Sequence, residues 1–557
     1  MLTARTAGFG ASLLLAACTG LVGDAGGGAG SATTADASST LSLTTNPIRR
    51  LRRLSSREYN NVVRDLLGDT SQPANQFLHD SYVNGYDNGS AALAVQSDQA
   101  ASYQLAAEKL AASAVTNNLS GLVGGCDVMQ QTPQACLQAF LSTFAPRAYR
   151  RPLTATELQR LQDAFQAGAQ AADFVTGIQT ALEVILQSPQ FLYREELGPP
   201  GAMPTAKGVD VQLTDYEVAS ELSFLLTGSL PDLQLWAAVE QGHFRSAADR
   251  QREAARLLAS PSARDALRAF LHEWMGTYRL SDLSKDPKFY PTFNSTLAAS
   301  MSGELDRFFD EVLWAQSGSL RELFTSNQSF VDQRLGQLYL DPVMGLGFQP
   351  VMLDPQLRKG ILTRAGYLAV HSDVDSSGPI ARGVFVLQSI LCSPPPPPPA
   401  NVPPATPASD PAVKDVTTRT RFDQHVSSAF CASCHTTIDG MGFGFEEFDG
   451  IGAYRTSENG NPVDTSGKVY GTGEIDGSYV GVSQLAIKLA GSHHLVDCYT
   501  KQAYRYAMGQ VEPSGSDLHS LNSLSTLFSA DARLTDMLLN IVAAPMFVTR
   551  VSEPPSP

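Results

Sequence analysis

The sequence is poor in positive charge. Its 40 Lys and Arg stand against 55 Asp and Glu, for a formal net charge of -15. A phosphate-binding surface needs clustered cations, so nucleic acid is excluded as the main partner. The one basic run, Arg49-Arg50-Leu51-Arg52-Arg53, is short and reads as a solvated lead-in to a helix. Past the first residues no run reaches the roughly 18 apolar residues of a membrane-spanning helix. Also missing are a G-x-S-x-G elbow, an H-E-x-x-H pair and a phosphate loop, which leaves hydrolase and nucleotide chemistry without local support. No fixed-period repeat is present. Cysteine is scarce as well, at seven residues in 557, and that scarcity makes each one informative.

The first of the seven closes an export signal. Arg5 precedes the small and apolar stretch Ala11 to Ala17, and Cys18 follows. Leu15-Ala16-Ala17-Cys18 resembles a bacterial lipobox, which implies cleavage before Cys18 and acylation of that residue. From Gly20 to Thr45 the chain is rich in Gly, Ala, Ser and Thr and nearly lacks large apolar residues, so it reads as a flexible tether. The expected location is the cell envelope, lipid-anchored to a membrane without crossing it, in the periplasm or at the outer membrane and cell surface. Thr19, where inner-membrane lipoproteins often carry Asp, leans by analogy toward the outer membrane.

After the tether the pattern is helical. Ser55 and Glu58 form a capping box ahead of Tyr59, Val62, Val63, Leu66 and Leu67, and Gly68 ends the run. Thr154/Glu157 and Thr214/Glu217 repeat that arrangement, and Leu267, Phe270, Leu271, Trp274 and Met275 give another helical stripe. The fold class expected is mainly α: a multi-domain helical protein with short β hairpin elements. Gly198 to Lys207 reads as a loop. The six prolines Pro394 to Pro399, with Pro403 and Pro404 after them, form an extended strap rising about 3.1 Å per residue. Val469 to Val480 suggests a short hairpin in a Gly- and Asp-rich stretch.

Cys431-Ala432-Ser433-Cys434-His435 carries the chemistry. Covalent haem attachment needs two thiols about one helical turn apart for the two vinyl edges of the porphyrin, with a neighbouring histidine to bind iron. C-x-x-C-H meets that need and predicts one covalently bound haem c, with His435 as an axial iron ligand. A zinc site of Cys431, Cys434, His435 and His425 is the chemical competitor, but it leaves the C-x-x-C-H adjacency unexplained. A thioredoxin-like pair is the other, and it lacks a surrounding βαβ pattern. Candidates for the second axial position are His425, Met441 and Met508, with His493 and His494 also available.

With Cys18 assigned to lipid and two cysteines to haem, four remain. In an oxidising compartment an even remainder suggests two disulfides: Cys126 with Cys136 as the local pair, and Cys392 with Cys498 across the haem region.

Ordered stretches along the chain resemble a family of large exported proteins, abundant in planctomycetes and myxobacteria, built of serial domains of unknown function around a planctomycete-type cytochrome c domain. They include Glu58-Tyr59-Asn60-Asn61, Arg64-Asp65-Leu66-Leu67-Gly68, Gly85-Tyr86-Asp87-Asn88, Phe144 to Thr154, Ser188 to Arg194 and Glu221 to Leu225. Further on come Arg358 to Thr363, Ser377 to Gly383 and Leu391-Cys392. His425, Cys431 to His435, Ile438-Asp439, Gly442-Phe443, Glu446, Phe448-Asp449, Cys498 and Tyr506 to Gly509 complete the set. Gly440 and Met508 depart from the residues usual there, Pro and Leu.

The division expected is a signal peptide at 1–17, a tether at 18–47, helical domains of unknown function at 48–120, 121–200 and 201–345, a haem-binding domain with its proline strap at 346–480, and a helical domain at 481–557. The function expected is electron transfer by an exported monohaem cytochrome, with an unknown redox partner. Alternatives are a haem-dependent oxidoreductase acting on an unknown substrate, and a surface module that binds an extracellular polymer or surface partner with the haem as accessory. Tyr86, Asp87 and Asn88 are either part of a binding surface or turn residues.

Overall fold

Helices account for most of the ordered backbone, and each strand pairs with a single partner. The computed structural model describes residues 51–93, 97–199, 210–340, 345–397, 415–423, 429–512 and 517–551. The signal peptide, Cys18, the tether, His425, most of the Gly198 to Lys207 loop and the prolines from Pro398 on lie outside the described residues.

The capping boxes work as the spacing predicts. Ser55 starts helix Ser56–Leu67 with its hydroxyl accepting from Glu58 N, and Glu58 returns the bond to Ser55 N. Thr154 and Thr214 do the same for Ala155–Ala171 and Asp215–Thr227, satisfying amides that a helix start leaves open. The stripe from Leu267 to Trp274 is buried along Pro261–Trp274.

Two apolar cores result. The first gathers residues from Leu54 to Leu192 together with Phe224 and Leu230, and the second joins Tyr86 to residues from Leu213 to Phe547. A two-stranded antiparallel clip closes each stretch: Arg52–Arg53 against Tyr193–Arg194, and Asp210–Gln212 against Thr549–Val551. Helix Asp215–Thr227 serves both cores, giving Phe224 to the first and Leu222, Leu225 and Leu226 to the second.

Arg52 and Arg53 correct the reading of the basic run as solvated. Both are buried. Arg52 and Arg194 share the Glu221 carboxylate, Arg194 also donates to Glu58 at 2.7 Å, and Arg53 pairs with Asp80. Buried cations need such partners, because unpaired charge in an apolar interior is costly.

Candidate functional site

Helix Ala429–Gly442 carries the signature. At 100° per residue, Cys431, Cys434 and His435 fall on one face within about a turn. All three are half-buried, and Cys434 rests against the second core. Neither cysteine takes part in the two disulfides, which join Cys126 to Cys136 and Cys392 to Cys498.

One turn further on, Asp439 lies under the histidine. His435 Nδ1 is 3.0 Å from Asp439 Oδ1. A carboxylate accepts, so Nδ1 carries the proton and Nε2 carries the ring's lone pair. The Asp439 side chain is 4% exposed and that of His435 23%. Burial pushes the Asp439 carboxyl above the usual aspartate range, while the bond from His435 pulls it back. Two thiols and an oriented imidazole on one helical face fit a porphyrin held by two thioethers and an iron–nitrogen bond.

Backbone-to-backbone contacts lock the helix in position. A Cβ on Gly383 would lie 2.3 Å from Ile438 O, and one on Gly442 would lie 2.0 Å from Pro379 O. Helix Pro379–Phe385 therefore packs on the signature helix at a distance that only glycine permits. On another side Gly440 approaches Lys468 O in the hairpin of Ser466–Val469 and Gly477–Val480, where the sequence suggests one. Tyr479 donates its hydroxyl to the carbonyls of Gly440 and Met441 at 3.0 and 2.8 Å, satisfying acceptors at the helix end.

The segment that follows hangs on a buried arginine. Arg382 is fully enclosed and donates to the carbonyls of Leu368, Phe445, Phe448 and Asp449. Burial pulls its pKa down to about 10. Glu446, also buried, accepts from Ser377 and Arg455.

The remaining candidates are dispersed. Met441 is fully buried in the second core on the same helix as His435. Six residues of helix set the two side chains about 120° apart and roughly 9 Å along the axis. Met508 ends helix His493–Met508, where Asn88 donates to Tyr506 O at 2.8 Å. The backbone amide of His493 donates to Glu474 at 2.9 Å, and His494 Nε2 lies 3.0 Å from Thr472 O, both in the Gly- and Asp-rich loop. Among the described residues no group of three His, Cys, Asp or Glu side chains gathers as a metal site.

Tyr86, Asp87 and Asn88 follow an Asn-Gly turn, with Asn84 and Gly85 at φ 55° and 93°. All three are buried, and Tyr86 reaches the wall of an adjoining cleft. Tyr86 donates to Gln502 at 3.0 Å, and Arg57 lies 3.6 and 3.5 Å from the carboxylates of Asp87 and Glu273. Burial is the largest influence on both acids, pushing Asp87 up to about 6 and Glu273 up as well. Glu273, Trp274, Tyr278, Gln388 and Gln502 line a cleft of about 480 Å³ beside this group.

Sequence reasoning met Asp439, Gly383 and Gly442 only within the family resemblance, took Asp87 for a surface or turn residue, and gave no sign that Asp87 and Glu273 meet at Arg57. The signal for Asp439 was its spacing, four residues after a histidine on a helix. The acids are far apart in sequence and carried none.

Four family models match successive stretches of the chain, each described as a protein of unknown function: DUF1587 over 52–116, DUF1595 over 136–196, DUF1592 over 213–340, and DUF1588, named PSCyt3, over 358–458. The chain belongs to the planctomycete-type cytochrome c domain family. The cytochrome-type stretch of this family member contains Arg382, Gly383, the whole signature helix and Arg455, and it supports a cytochrome-related role. No curated protein and no solved structure matches the chain.

Proposed function

We propose that this cytochrome-family protein is an exported monohaem c-type cytochrome, anchored by lipid at Cys18, that passes single electrons at the cell envelope. The observation that carries the reading is Cys431, Cys434 and His435 on one face of a single helix, with His435 Nδ1 held by Asp439. Bound haem supplies reversible one-electron exchange at iron. Cys431 and Cys434 would hold it by two thioethers, and Asp439 orients the His435 imidazole that would bind its iron. The glycine contact with helix Pro379–Phe385 keeps that face from shifting.

The test is haem staining after denaturing electrophoresis of full-length protein from a host competent in cytochrome maturation. Wild type should stain and the Cys431→Ser/Cys434→Ser double variant should not. Wild type that is colourless, or that carries zinc on those thiols, rejects the proposal. In the same host Cys18→Ala should move the protein from the membrane fraction to the soluble one.

A second reading, a haem-dependent oxidoreductase, draws support from the cleft beside Glu273. Phe385 and Gln388 line that cleft from the helical segment whose Gly383 meets the signature helix. Ready binding of carbon monoxide by the reduced protein favours this reading, and inertness favours the carrier.

A further inference from the structure

We infer that Asp439 is a positioning residue for the iron ligand, an anionic acceptor on His435 that holds the haem at a low reduction potential and so makes the protein a donor to higher-potential one-electron acceptors. The inference rests on the haem proposal above.

Its basis is the contact of His435 Nδ1 with Asp439 Oδ1 at 3.0 Å. The two residues are four apart on one helix, so the helix itself sets their separation and no flexible loop intervenes. Asp439 is 3% exposed, which limits screening by water. Its second oxygen, Oδ2, is buried with no hydrogen-bond partner. The nearby cation Arg419 is engaged elsewhere, donating to the carbonyls of Asp464 and Ser466 at 3.0 and 2.6 Å and lying 3.4 Å from the Asp464 carboxylate.

A charge-assisted hydrogen bond is shorter and roughly twice as strong as a neutral one. Here it draws the Nδ1 proton toward the carboxylate and raises the electron density that Nε2 offers to iron. Ferric iron carries one more positive charge than ferrous, so both that density and the buried negative charge stabilise the oxidised form more. The step they favour is the loss of one electron from ferrous iron to an acceptor, with the Nδ1 proton staying on the imidazole. A neutral acceptor beneath the histidine would lack this bias.

The experiment is a spectroelectrochemical titration of full-length, haem-loaded wild type, Asp439→Asn and Asp439→Glu. Asn keeps the shape and an acceptor oxygen and removes the charge; Glu keeps the charge. At the wild-type midpoint, Asp439→Asn should show at least a tenfold higher ratio of reduced to oxidised protein, a rise of 59 mV for one electron. Asp439→Glu should stay closer to wild type than Asn does. An Asn variant that retains its haem and titrates at the wild-type potential overturns the inference, and so does a Glu variant that shifts as far as Asn.

If Asn loses its haem, the His435 Nδ1 proton in reduced wild type decides. A nitrogen-edited magnetic resonance spectrum should show it far downfield and slow to exchange, and a carbonyl-like position overturns the inference. Wild type that never binds haem defeats the functional proposal itself, an outcome separate from a haem protein whose potential ignores Asp439.

Discussion

On the proposed reading a methionine sulfur invites assignment to iron, and Met441 is at the same time packed as a core side chain. It is fully enclosed by the second core, on the helix that already supplies the histidine. Met441→Ala should cost about 2–5 kcal/mol through the cavity it leaves and leave the haem absorption bands in place. Urea denaturation with a visible spectrum checks both, and a changed ligand field at unchanged stability would assign it to iron instead. Glu447 shows burial acting through protons. Its pKa is pushed from 4.5 up to about 7 by burial, although Val482 N–H bonds the carboxylate at 2.9 Å. The folded chain therefore binds this proton more tightly than the unfolded one. Its contribution to stability is complete below pH 4.5 and is lost as pH rises through about 7. Glu447→Gln should flatten that part of the stability profile and gain on wild type toward neutral pH. Parallel urea midpoints for the two proteins across the window would contradict this.

Among the elements, the pair formed by helix Pro379–Phe385 and helix Ala429–Gly442 governs the site. Where a Cβ would lie 2.3 Å from a carbonyl oxygen, the backbones must part before alanine fits. Gly383→Ala should lower stability by about 1–3 kcal/mol through overpacking and slow haem attachment, since the thiols and imidazole would no longer sit against the core. Thermal unfolding and the yield of stained protein measure the two effects; an alanine variant of wild-type stability would show that the helices slide apart freely. The capping boxes at Ser55, Thr154 and Thr214 were legible beforehand because each is a local pattern of four residues. The hairpin expected over Val469 to Val480 was legible from its local turn residues, and its first strand starts earlier, at Ser466. The glycine contact was not, because nothing within either helix states which other helix it will touch.

For the molecule as a whole, two disulfides fasten loops of very different size. Cys392 and Cys498 are 106 residues apart and enclose the C-x-x-C-H helix, whereas Cys126 and Cys136 are 10 apart. Closing the larger loop restricts the unfolded chain more, by about 2 kcal/mol in the chain-entropy account. Cys392→Ser/Cys498→Ser should therefore lose about 2–5 kcal/mol, more than the corresponding Cys126/Cys136 variant. Denaturant midpoints of the two double variants give the comparison, and equal losses would count against the loop argument.

By itself the sequence determined the helical class, the C-x-x-C-H signature and the grouping of the cysteines, since periodicity, adjacency and parity need no knowledge of distant neighbours. It did not reveal that Arg52 is buried against Glu221, that Asp87 and Glu273 converge on Arg57, or that Tyr86 to Asn88 lie inside. Those depend on long-range partners, and a charged residue reads as solvated until the chain shows what encloses it. Only the tertiary structure decided that Asp439 lies buried beneath His435. Spacing could bring the two side chains together, but packing against the neighbouring helix and hairpin is what keeps water out.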